Sequence, residues 1–201
     1  MIAYASRTGT RRNLDALRQA GWRLLVSATG PHRTEGFPYA IDNGAWTAHQ
    51  QGAPFDELAF CAVVEALGGD ADFVVVPDIV AGGLASLEMS RRWLPWVLAR
   101  TRRALIAVQD GMTLDDVAPL LSERVGVAIG GSTEWKLAAL GSRSWSASWL
   151  HVLRVNTARR IRLCGYAGAH SFDGSSASRF AVNVPSLEAA RGAAAAQGSL
   201  L

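Results

Sequence analysis

Short apolar runs of four to six residues recur along the whole chain, and the segments between them carry apolar positions at helical spacing. A run that is apolar at every position has both faces buried, which is the mark of a parallel strand covered by helices. Strands are expected at residues 2–5, 23–28, 39–42, 73–78, 105–110, 125–130, 149–154 and 169–173. Helices are expected at 13–20, capped by Asn13 and ended by Gly21, and then at 56–67, 84–100 with Pro95 interrupting it, 114–121, 133–140 and 157–166. Residues 29–36 are too short and too rich in Gly and Pro for a helix, so one crossover helix is missing. The Ala-rich tail at 188–201 reads as a last, frayed helix.

Eight alternating units favour a closed barrel over an open doubly wound sheet. The expected fold is α/β: a compact single-domain (β/α)8 TIM barrel over residues 1–201, at the lower edge of the usual barrel size. With 49% hydrophobic residues the chain can bury one large core, and it is too short for two ordinary domains. Cys61 and Cys164 belong to no Cys/His cluster, so neither a disulfide framework nor a zinc subdomain is expected. No stretch approaches the roughly 20 apolar residues of a membrane span, and the first residues lack a secretory layout, so a soluble cytoplasmic protein is expected.

Lys136 is the only lysine, and arginine carries the rest of the positive charge behind a formal net charge of +3. A GC-rich genome produces such a bias with no functional reason, and arginine also suits bidentate phosphate contacts.

In a barrel of this type the C-terminal strand ends share one mouth, and here those ends are polar. They read Asp42-Asn43-Gly44, Asp78, Gln109-Asp110-Gly111, Gly130-Gly131-Ser132, Arg154-Val155-Asn156 and Asp173-Gly174-Ser175-Ser176. Any one of them reads as a turn or a helix cap; acid, amide and double glycine together at one end do not. Converging carboxylates suit a nucleophile, a proton donor or acceptor, and an acceptor for substrate N–H groups. Asp42, Asp78, Asp110 and Asp173 could instead hold a divalent cation, but Glu and His are missing from the strand ends, and His151 starts its strand or points into the barrel. No metal or other cofactor is expected. A phosphate-binding loop and a nucleophile elbow are both absent from the sequence.

In order along residues 40 to 180, these motifs resemble those of the queuine-type guanine transglycosylases, and more closely their relatives that insert 7-deazaguanine derivatives into DNA. Ile41-Asp42-Asn43-Gly44-Ala45-Trp46 looks like the family's Asp-Ser-Gly-Gly-Phe segment, Val76-Pro77-Asp78 like its base-binding Asp, and Val108-Gln109-Asp110-Gly111 like its Gln-Gly pair. Ile129-Gly130-Gly131 resembles its double glycine, and Ser171-Phe172-Asp173 the Phe-Asp that carries the nucleophile. The resemblance implies a pentosyltransferase in which Asp173 attacks C1′ of a guanosine and Asp42 is the acid/base, a task favouring a carboxyl whose pKa is raised by burial. It further implies base recognition by Asn43, Asp78, Gln109, Asp110, Gly130 and Gly131, with Trp46 or Tyr4 for stacking.

The family's Cys-x-Cys-x-x-Cys zinc motif is missing and no RNA-binding segment follows, which favours DNA over tRNA as partner. Arg7, Arg11 and Arg12, Arg154, Arg159 and Arg160, and Arg179 are the candidate phosphate contacts, with Arg159, Arg160 and Arg162 also readable as a plain solvated helix face. The small size leaves room for a homodimer or an auxiliary protein. Two other classes stay open: a metal-dependent barrel enzyme acting on a phosphoester, and a non-catalytic nucleic-acid-binding barrel.

Overall fold

The computed structural model describes residues 1–6, 10–145 and 147–198. Eight strands follow one another: β1 Ile2–Ser6, β2 Arg23–Ser27, β3 Tyr39–Asp42, β4 Val74–Val75, β5 Ala104–Val108, β6 Val125–Ile129, β7 Leu150–Val152 and β8 Ser171–Gly174. Each pairs in parallel with the next, and β8 returns to β1 through Tyr4 opposite Asp173, so the sheet is a closed barrel. The chain is therefore a TIM-barrel-like α/β domain.

The helices are α1 Arg11–Gln19, α2 Ala45–Gln50, α3 Glu57–Leu67, α4 Leu84–Leu98, α5 Leu114–Val117, α6 Thr133–Ser142, α7 Ala158–Tyr166, α8 Ser176–Arg179 and α9 Val184–Gly198. No helix joins β2 to β3, as the breakers there require. The short α2 and α8, one turn past their strands, are not legible as periodic segments. Among the described residues no helix is long and apolar enough to cross a membrane.

Side chains alternate across each strand, and the two apolar clusters sort by that phase. Inside the barrel lie Tyr4, Leu25, Ala40, Phe73, Val75, Leu105, Ala107 and Ala128. Their neighbours Ala3, Leu24, Ile41, Val74, Ile106 and Val127 face outward to the helices. β2 and β4 to β7 end earlier than expected because the chain peels away into the mouth loops, whereas β1 and β8 each run one residue further. At β4 only two residues form a ladder, although Ile41 N–H still donates to Phe73 O at 3.0 Å and Val76 N–H to Leu105 O at 2.9 Å.

Three local expectations change. Thr10, not Asn13, is the N-cap residue of α1; Asn13 is buried one turn in, and its Nδ2 donates to Ser178 O at 2.7 Å, tying α1 to α8. Pro95 does not interrupt α4, which continues to Leu98. The segment expected as one helix at 114–121 is α5 followed by a 3-10 turn, Ala118–Leu120, because Pro119 tightens it. Asp56, Ser132 and Thr157 cap α3, α6 and α7 through their side-chain oxygens, each worth about 1 kcal/mol.

Candidate active site

The interior phase that places Ala40, Ala107, His151 and Ser171 inside also places Asp42, Gln109, Leu153 and Asp173 inside, two residues further toward the mouth. There they line a cavity of about 1110 Å³ together with Asp78 and the β6 turn. Barrel closure thus brings Asp42, Asn43, Asp78, Gln109, Asp110, Gly130, Gly131, Arg154 and Asp173 to one site.

Asp173 is buried at the end of β8. Its Oδ1 accepts from the Arg154 peptide N–H at 3.0 Å and from His151 Nε2 at 3.3 Å, whereas Oδ2 accepts from no other described residue. Below it a polar chain runs down the barrel axis: Trp149 Nε1–H donates to Ser171 Oγ at 2.9 Å, and Ser171 Oγ lies 2.8 Å from His151 Nδ1. With the indole able only to donate and the carboxylate only to accept, a neutral His151 gives the chain one direction: the Ser171 hydroxyl donates to Nδ1, and Nε2–H donates to Asp173. The Arg154 N–H is aimed by a left-handed backbone, φ 60°, that a non-glycine residue adopts at some cost.

Asp42 stands in a different setting. Burial, and then the negative charges of Asp173 and Asp78, push its carboxyl up to about 7, against smaller opposing effects of the Gly44 N–H and Arg154. Burial also raises Asp78, whose Oδ1 accepts from Asn43 Nδ2 at 2.8 Å. Asn43 itself is spent: Nδ2 also donates to Val76 O and Oδ1 accepts from Ala45 N–H, both at 2.8 Å. It is out of phase with Asp42 and holds Asp78, and it lines the same cavity.

Asp110 also lines the cavity and is likewise engaged by a neighbour. One residue out of phase with Gln109, it is exposed, and its two oxygens accept from Ser132 N–H at 2.7 Å and Ser132 Oγ–H at 2.6 Å, which pulls its carboxyl below the usual range. It fixes the β6–α6 turn at the cavity rim. Gly131 there has φ +72°, and a Cβ on it would meet Asp110 Oδ2 at 2.5 Å. Gln109 Nε2 donates to Ile79 O at 2.8 Å, which leaves its Oε1 for a ligand.

The arginines divide. Arg154, expected to contact a phosphate at the barrel mouth, lines the cavity there: its guanidinium donates to Gly131 O at 2.7 Å and lies 4.0 Å over the Trp46 ring. Arg160 lines the cavity and exposed Arg179 stands at its rim. Arg11, 4.0 Å from Asp15, and Arg12 and Arg159 are exposed and line no part of it. Arg7 lies outside the described residues. Tyr4 cannot stack on a bound base: it is fully buried low in the barrel, and its hydroxyl donates to Asp72 at 2.9 Å.

Two groups escape a reading of the strand ends, one buried beneath the cavity and one on its wall. His151 is found by extending the interior phase of β7 back from Leu153. Lys136 lies on α6, in a turn whose only flag is that it holds the chain's one lysine.

Among the described residues no group of three or more His, Cys, Asp or Glu side chains is arranged to hold a metal ion. Fold and cavity define a TIM-barrel-like protein whose C-terminal mouth carries carboxylates in contrasting surroundings. Compared with known proteins, the chain matches no family model and no curated protein sequence.

Proposed function

We propose that the protein is a base-exchange transglycosylase that replaces guanine by a 7-deazaguanine derivative in DNA through a covalent aspartyl-sugar intermediate. The observation that carries this reading is the pairing, in one cavity, of two carboxylates with different tasks built into their surroundings. Asp42 is poised to hold and release a proton near neutral pH. Asp173 has one oxygen anchored by two donors and the other directed to no described partner.

In the first step Asp173 Oδ2 attacks C1′ and the C1′–N9 bond breaks. Its electron pair leaves with guanine, which takes the proton from Asp42. The ester carbonyl that forms at Oδ1 keeps its hydrogen bonds to the Arg154 N–H and His151. In the second step the incoming base gives its ring N–H proton to Asp42 and attacks C1′, releasing Asp173. Gln109 Oε1 and Asp78 are acceptors suited to the N–H edge of a guanine-like base. A guanine in a duplex must be flipped out to reach this depth, at a cost of a few kcal/mol, and Arg160 and Arg179 offer phosphate contacts around the entrance.

The test is incorporation of labelled guanine into DNA and, separately, into tRNA, with Asp173→Asn as control. Incorporation into DNA that disappears in the Asn variant, with the melting temperature kept, is the expected result. Incorporation into tRNA alone would change the acceptor, and an active Asn variant would remove Asp173 from the nucleophile role.

A further inference from the structure

The exchange just described leaves unused the cavity's one primary amine. Lys136 is only 5% exposed, and its side chain lines the same cavity as Asp42 and Asp173. Its Nζ donates to Leu153 O at 2.5 Å, and no carboxylate among the described residues comes within ion-pair distance of it. A buried ammonium without a counter-ion is costly, and the cavity adds the charges of Arg154 and Arg160 nearby. Burial first, then Arg154, push this amine down to about 8, with Asp173 opposing. At pH 7.5 its free-base share exceeds that of an ordinary lysine by roughly 200-fold. A desolvated amine beside other cations is the setting in which lysine attacks carbonyl carbon.

We propose that Lys136 forms an imine with an aldehyde that carries a phosphate ester, an activity that goes beyond base exchange and does not require it. The Nζ lone pair attacks the aldehyde carbon and the carbonyl electron pair moves to oxygen, which takes up the proton that the nitrogen loses. The carbinolamine hydroxyl then takes one proton and leaves as water. The balance is Lys–NH2 + O=CH–R + H⁺ → Lys–NH⁺=CH–R + H2O. Leu153 O keeps one N–H of the amine and so aims its lone pair. Arg160 and Arg179, the cations along the cavity and its rim, are placed for the phosphate. Such an aldehyde has two sources: the ring-opened sugar of an abasic site in DNA, and a free sugar phosphate.

Borohydride reduces the iminium to a stable secondary amine, so the adduct can be weighed. The protein is incubated with borohydride and either an oligonucleotide carrying one abasic site or 2-deoxyribose 5-phosphate, then digested and mapped by mass. The Met1 amino group is the only other primary amine in this sequence and serves as the internal reference for unselective reaction. The wild type is expected to carry the adduct on the peptide containing Lys136, increasingly from pH 6 to 9. Lys136→Met and Lys136→Arg, checked for an unchanged melting curve, are expected to lower it at least about tenfold. Asp173→Asn is expected to keep it, which separates this activity from base exchange. An adduct with the oligonucleotide alone assigns the aldehyde to DNA, and one with the sugar phosphate alone to a small substrate. Labelling only at Met1, no labelling in either arm, or equal labelling of the Met variant overturns the proposal.

Discussion

Asp42→Asn is expected to stabilise the protein above neutral pH while disabling it as a proton donor. The folded state holds the Asp42 proton more tightly than the unfolded chain does, since its carboxyl rises from 3.8 to about 7. The folded state therefore binds more protons between those values, and stability falls as pH rises through that window, by up to about 1.4 kcal/mol per pH unit. The full shift corresponds to about 4 kcal/mol. Water reaching the half-buried side chain brings the realised loss toward about 2 kcal/mol. The amide keeps an acceptor for the Gly44 N–H, 3.3 Å away, and carries no charge against Asp173 and Asp78. Thermal melts of both proteins from pH 4 to pH 8 isolate the effect, because every other titrating group is common to the pair. The melting-temperature advantage of the Asn variant should grow by roughly 4–16 °C across that range, at 2–4 °C per kcal/mol for a chain of this size. Parallel curves would show that Asp42 ionises at its ordinary value and would refute its assignment as the acid/base.

Gly131→Ala should cost about 3 kcal/mol or more in denaturant unfolding, from the left-handed backbone and the displaced Asp110–Ser132 bonds. Arg154→Gly should be about 1 kcal/mol more stable than Arg154→Ala, since only glycine relieves the positive φ and both keep the N–H on Asp173. His151→Leu should lower the exchange kcat by about 10- to 100-fold with KM little changed, and His151→Gln, which can still donate to Asp173, should recover much of it. A loss shared equally by Leu and Gln would reduce His151 to a packing role.

Eight apolar runs spaced by helical segments, with breakers at 29–36, were enough to state a closed barrel lacking one helix, because burial on both faces of a strand leaves an unbroken apolar run in the chain. Period-two alternation likewise makes Asp42, Gln109 and Asp173 legible as interior groups at the mouth. Asn43 and Asp110 sit one residue out of phase and still line the cavity through the turns that follow their strands. What no local pattern contains is the partner of each group. Asp173 meets the Arg154 N–H and His151 only because β8 lies beside β7. Asp110 meets Ser132 because their loops adjoin, and Arg154 turns inward because a positive φ redirects the chain just past β7. The sequence by itself determined which side chains stand inside the barrel, since that follows from spacing along one strand. Their hydrogen bonds, their charge neighbours and the raised carboxyl of Asp42 depend on distances between residues far apart in the chain, and only closure of the barrel decides those.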